Sequence, residues 1–335
     1  EEHYQGALKL LHAEDYQGAA EAFALLPDYK DSADKEKYSR NMLAYLSGKE
    51  MLARQEWLNA HQAFLGIIGF LDADTLAGDA LTLAYEEAAA LEATGDHAGA
   101  AGAFAPLAEL GHLDSAARAV YNLQKVRYLD AAALLESGKL EKALEGFDTL
   151  ADEGFEDSAQ RAEYCRRRIA YLAAARLLTD GKYELAAAAF SALGGFEDAL
   201  QQAKAAKAEH EGLMLAAAAE SAQKGDLTKL EAFAGNLGAY EPETVTRFHE
   251  QALPLLQELL DAGNEAGAQS LVDKIADHAG LAAAALSLET ENPFQAAQLW
   301  GLMKARDTET ANQALNRILG NSNASDIHIK GLCYT

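Results

Sequence analysis

Proline is scarce in this chain, with five in 335 residues. A proline inside a helix costs about 3 kcal/mol, so its scarcity leaves the sequence open to long helices. Cysteine is scarcer still, and Cys165 and Cys333 stand far apart. Two such residues make neither a disulfide framework nor a zinc ligand set. Cations are outnumbered, with 28 Lys and Arg against 52 Asp and Glu, a net charge of −24. Nucleic acid and anionic membrane surfaces bind through clustered Lys and Arg, so neither is expected as a partner. The one dense basic run, Arg166-Arg167-Arg168, reads as the solvated face of a long helix. No apolar run approaches the roughly 20 residues that span a bilayer, so direct membrane insertion is not expected. The chain opens on Glu1 rather than Met, as a processed chain or an excised segment would, and localisation stays undecided.

Chemical motifs are missing too. There is no nucleophile elbow, phosphate-binding loop or dinucleotide fingerprint. His210-Glu211 and His249-Glu250 lack the second histidine of a metalloprotease helix. Asp72, Asp74 and Asp79 lack the glycine and terminal glutamate of a calcium loop, and read as residues at a helix start. The sequence therefore nominates no catalytic, cofactor-binding or metal-binding residue, and the expectation is a protein that is not an enzyme.

What is present is alanine, an apolar half of the composition, and a repeat. A tyrosine and a phenylalanine stand nineteen residues apart five times: Tyr4/Phe23, Tyr45/Phe64, Tyr85/Phe104, Tyr128/Phe147 and Tyr171/Phe190. Successive phenylalanines are 41, 40, 43 and 43 residues apart, a period that marks stacked repeats. Three residues after each tyrosine comes Ala7, Gly48, Ala88, Ala131 or Ala174, and a further three on Leu10, Met51, Leu91, Leu134 or Leu177. This spacing keeps one face of a first helix. Four before each phenylalanine stands Ala19, Ala60, Ala100, Ala143 or Ala186, and seven before it Tyr16, Trp57, His97, Leu140 or Tyr183, on a second helix. Gly95, Gly138 and Gly181 mark the turn between helices in three repeats. Glu14-Asp15 and Gln55-Glu56 replace it in the first two, which are expected to turn by other means.

Eight or ten residues after each phenylalanine comes Asp31, Asp72, Asp114, Asp157 or Asp198, with an aromatic ring two places earlier. Aspartate is a strong helix N-cap and the ring suits a hydrophobic staple, so these five are predicted to cap a long helix of about 22 residues. The ten Tyr and Phe residues are predicted as the structural core of the repeats.

The pattern resembles tetratricopeptide-type repeats: a ring on the first helix, a turn, then a small residue and Phe on the second. The period of 40–43 and the missing terminal proline depart from that family. The variant, with its Tyr/Phe-x-Asp-Ser-Ala segment, is similar to a divergent subgroup of bacterial, often Gram-positive, multidomain proteins. The resemblance covers residues 1 to about 207. It implies an all-α, right-handed α-solenoid of stacked antiparallel helix pairs.

Beyond 207 the register fades, although Lys224-Gly225-Asp226 and Ala262-Gly263-Asn264 repeat the turn. Residues 208–319 read as degenerate repeats or as a separate helical capping domain. Residues 320–335 read as a tail, with a loop at Gly320-Asn321 and strand-like alternation over Asp326–Lys330, which could begin a further domain. The function expected of such an array is a scaffold that holds a protein or peptide in its groove, with the acidic balance favouring a basic partner. The alternative is a docking or regulatory arm of a larger enzyme or surface protein.

Overall fold

The structure, a computed structural model, describes residues 1–275, 278–304 and 307–321. It is all-α: seventeen α-helices and one short 3-10 turn, with no strand among the described residues. The chain divides inside one helix into two compact units, Glu1–Cys165 and the residues from Arg166 onward.

In the first unit short and long helices alternate. The pairs are α1 (Glu2–His12) with α2 (Tyr16–Ala24), α3 (Ser32–Ala53) with α4 (Trp57–Leu65), α5 (Ala73–Ala93) with α6 (His97–Glu109), and α7 (Ser115–Glu136) with α8 (Leu140–Asp152). The next helix, α9 (Ser158–Thr179), contributes its first residues, through Cys165, to this unit. Helix α2 packs between α1 and α3, α4 between α3 and α5, and α6 between α5 and α7, while α8 packs on α7, which is solenoid packing. There is no central core. Separate apolar clusters recur, one for each repeat.

The phenylalanines explain this arrangement. Phe23, Phe64, Phe104 and Phe147 are completely buried, and so are the small residues Ala19, Ala60, Ala100 and Ala143 one turn earlier. The ring of Phe64 lies in one cluster with Ala60 of its own helix and with Ala73, Ala77 and Ala80 of the next. Gly48 leaves it room, because a Cβ there would lie 2.7 Å from the ring. Each tyrosine meets its phenylalanine edge-on, with centroids 5.9, 6.0, 5.5 and 5.7 Å apart in the four repeats. This is the arrangement that ring quadrupoles favour.

All five helix turns adopt the same geometry. Gly95, Gly138 and Gly181 hold positive φ, and so do Glu14 (58°) and Gln55 (63°) at the equivalent place. The first two repeats thus make the same left-handed turn, against expectation, and their side chains bear the steric cost that glycine avoids.

The second unit opens with the rest of α9 and α10 (Tyr183–Leu193), built around Phe190 in the same manner. There follow α11 (Ala199–Gln223), α12 (Thr228–Gly235), α13 (Pro242–Asp261), α14 (Glu265–Lys274), α15 (His278–Glu291), α16 (Pro293–Met303) and α17 (Thr308–Asn321). Packing changes here. Helix α11 touches α13, α13 touches α15, α12 touches α14, and α14 touches α16. One apolar cluster accordingly runs from Leu215 to Ile318. Leu215, ten residues before Gly225, stands where each earlier repeat has its tyrosine. The helix of α17 continues through Gly320 and Asn321, the start of the expected loop. The strand-like segment Asp326–Lys330 and Cys333 lie outside the described residues.

Candidate functional site

The aspartates that open the long helices do something other than cap them. Asp31, Asp72, Asp114 and Asp198 occupy the N-cap position, but none of the four makes a side-chain capping bond. Their carboxylates instead accept the hydroxyl of the repeat tyrosine, one long helix earlier. Tyr4 donates to Asp31 at 2.5 Å, Tyr45 to Asp72 at 2.7 Å, Tyr85 to Asp114 at 2.6 Å and Tyr171 to Asp198 at 2.5 Å. Tyr128 donates to Asp157 in the same way. For Asp31, Asp72, Asp114 and Asp198 the cap prediction is therefore corrected: the position is right and the partner is different. Genuine side-chain caps sit on short helices, where Asp15, Asp96 and Asn264 accept from Gly18, Gly99 and Gly267. A Cβ on these glycines would lie 2.4–2.6 Å from the capping side chain, which would have to shift to admit it.

The ring two places before each aspartate closes the motif. Tyr29, Phe70, His112, Phe155 and Phe196 meet the repeat tyrosine at 5.5, 6.3, 5.9, 5.9 and 6.3 Å. The residue between ring and aspartate has positive φ in all five copies: Lys30, Leu71, Leu113, Glu156 and Glu197. Three of these also form ion pairs with the residue three before the tyrosine. The pairs are Lys30 with Glu1, Glu156 with Lys125, and Glu197 with Arg168. The signs are reversed in the first repeat, and where the residue is Leu71 or Leu113 the matching positions hold uncharged Met42 and Thr82.

Electrostatics follow from this geometry. The hydroxyl of Tyr4, then Lys35, holds the Asp31 carboxyl below the usual carboxylate range. Tyr128, then Arg161, does the same for Asp157, against the opposing effect of burial. Tyr171 and Gln202 lower Asp198. The bond to Asp31 in turn raises the Tyr4 hydroxyl, and that to Asp198 raises Tyr171. Lys30, with Tyr29, holds Glu1 down to about 2.

The densest polar cluster joins the third and fourth repeats. Glu92 accepts from Arg118 at 3.0 and 3.1 Å and from Asn122 at 2.7 Å. Asn122, completely buried, also meets His97 Nδ1 at 2.7 Å, and Arg118 donates to the Tyr85 hydroxyl at 2.9 Å. Arg118 also lies over the Phe104 ring at 4.5 Å. Its hydrogen bonds lower the carboxyl of Glu92. These groups use their bonding capacity on one another, so the cluster locks repeats together. In the basic run Arg166 is exposed, as expected, whereas Arg167 and Arg168 depart from expectation in a similar way. Arg167 donates to the Leu193 carbonyl at 2.6 Å and lies over Phe196, and Arg168 pairs with Glu197 over Tyr171.

Half-exposed aromatic and apolar side chains lie elsewhere. In the first unit Tyr38, Tyr121 and Tyr164, each seven residues before a repeat tyrosine, are 43, 41 and 43% exposed. Tyr38 leans on Phe70 and Tyr121 on Phe155, at 5.5 and 5.7 Å, so both rings are held in place from behind. Leu46 and Leu129, one residue after a repeat tyrosine, are also exposed. None of these five was nominated by sequence, where the repeat tyrosines drew the eye. The signal was their constant register.

In the second unit, clefts lie beside α11, α13 and α16, with volumes of about 370 to 430 Å³. Among the described residues no group of His, Cys, Asp or Glu side chains could hold a metal ion, and no helix is long and apolar enough to cross a membrane. No protein-family model matches the chain, and no curated protein matches it either.

Proposed function

We propose that this chain is a tetratricopeptide-like interaction scaffold, a binding protein and not an enzyme, that holds a protein or peptide partner. The observation that carries the reading is the recurrence of half-exposed tyrosines at one register. Tyr38, Tyr121 and Tyr164 place the same ring at the same point of three long helices. Aromatic rings with a fixed orientation and a polar tip are the side chains that contribute most at protein interfaces. The polar groups of the repeat motif, by contrast, are engaged with each other, which suits a rigid support. The acidic balance of the chain favours a partner of basic character.

The test is site-directed photo-crosslinking. A benzophenone side chain at position 38 or 121 is expected to trap the same partner from both sites. The same probe at Glu21 and Glu145, on short helices, is expected to trap it weakly. Equal trapping at all four positions, or none at any, contradicts the proposal.

A further inference from the structure

Helix α13 contains Pro254 in its interior. Proline has no N–H, so it cannot donate to the carbonyl of Glu250, four residues back. Pro254 is exposed, and it walls two clefts. The first, of about 430 Å³, has an apolar lining of Ala216 and Ala219 from α11, Leu230 from α12, and Pro254 and Leu255. Leu230 and Leu255 are buried, so this lining is backed by the core of the unit.

The rim of this cleft carries Glu220, Glu250 and Glu258, and no Lys or Arg lines it. Glu220 is held by Lys224 at 2.6 Å. Glu250 and Glu258 are exposed and have no cationic partner among the described residues. The second cleft, also about 430 Å³, lies between α13, α15 and α16, with Leu253, Leu288 and Leu299 on its walls. Its polar lining is uncharged: Gln257, Ser287 and Gln295.

We infer that α13 is a docking ridge for a basic, apolar segment of a partner protein. An apolar side chain flanked by Lys or Arg enters the first cleft, and its cations meet Glu250 and Glu258. A second apolar side chain enters the uncharged cleft across Pro254. Charge selects the partner: carboxylate-flanked segments are repelled at the same rim, and burial of the apolar anchors supplies the attraction. The inference rests on the scaffold reading and names the partner chemistry for one surface of it.

The probes are three short fluorescein-labelled peptides titrated into the full chain. One carries Arg-Leu-Arg and a second leucine, one replaces both arginines by glutamate, and one replaces both leucines by serine. Only the first is expected to bind, more weakly as salt is raised. The double variant Glu250→Gln/Glu258→Gln and the cleft-filling variant Ala219→Trp are each expected to weaken it about tenfold or more. Circular dichroism checks that both variants stay folded. Wild-type affinity in the double variant, equal binding of the glutamate peptide, or no binding up to about 1 mM overturns the inference. Trapping at positions 38 and 121 is read separately, so the scaffold reading can survive that outcome or fail without it.

Discussion

The hydroxyl of Tyr128 donates to the carboxylate of Asp157, twenty-nine residues along the chain. That bond ties one long helix to the start of the next, and the short helix α8 lies between them. Tyr128 is 7% exposed and its ring meets both Phe147 and Phe155. Removing only the hydroxyl, in Tyr128→Phe, leaves the rings in place and takes a donor from a charged acceptor. The expected loss is about 1 kcal/mol, below the usual value for a charged acceptor because Asp157 is half-exposed. Urea unfolding measures it, and a midpoint equal to wild type contradicts the account.

Acid should release the same contacts. The carboxyls of Asp31, Asp157 and Asp198 are lowered in the folded chain. A lowered carboxyl stabilises the fold above its unfolded value of about 4, and that stabilisation is lost as pH falls through the folded value. Melting temperature is therefore expected to hold near neutrality and to drop below about pH 4. Tyr128→Phe is expected to drop less steeply, because Asp157 then titrates closer to its unfolded value. Parallel pH profiles for the two proteins would count against the tyrosine as the cause.

The turns make an opposite pair of predictions. Gln55 holds a φ of 63° that glycine adopts at no steric cost. Gln55→Gly is expected to stabilise by about 0.5–1 kcal/mol, the relief of strain exceeding the added freedom of the unfolded chain. Gly138→Ala, at φ 75°, is expected to destabilise by about 1–2 kcal/mol. Thermal melts of both variants check the signs.

Ser115 follows Asp114 and is completely buried, and its hydroxyl has no hydrogen-bond partner. Ser32 and Ser158 share that state at the same place, where the other repeats have the equally buried Ala73 and Ala199. Size is what the site requires. Ser115→Ala is expected to be neutral or stabilising by up to about 1 kcal/mol, and Ser115→Val to destabilise by about 1–3 kcal/mol through overpacking. A large loss on Ser115→Ala would show that the hydroxyl matters after all.

The helix pairs could be read from the sequence because their signals are local. Nineteen residues join Tyr and Phe across a turn of constant length, and alanine spacing marks each buried face. The partner of Asp157 could not be read in this way. An aspartate before a long helix looks like a cap, and its tyrosine stands on another helix twenty-nine residues away. The left-handed turns at Glu14 and Gln55 were hidden for a different reason: packing on both sides imposes a conformation that neither side chain advertises. Arg167 and Arg168 looked solvated because charge suggests water, yet their flat guanidinium groups lie over Phe196 and Tyr171. Past residue 207 the pattern faded where Leu215 replaces the tyrosine and helices begin to pack two places along the chain.

The central claim is that the repeat motif supports and the half-exposed tyrosines bind. Two variants of the full chain separate these roles: Tyr128→Phe, and Tyr38→Ser/Tyr121→Ser/Tyr164→Ser. The measurement is melting temperature beside photo-crosslinking from Leu46. The first variant is expected to melt lower and still trap the partner at a temperature where it is folded. The second is expected to melt lower as well, since two of its rings pack on Phe70 and Phe155, and to lose the partner at a temperature where it is folded. A triple variant that traps the partner as wild type does, or a folded Tyr128→Phe that loses it, would contradict the account.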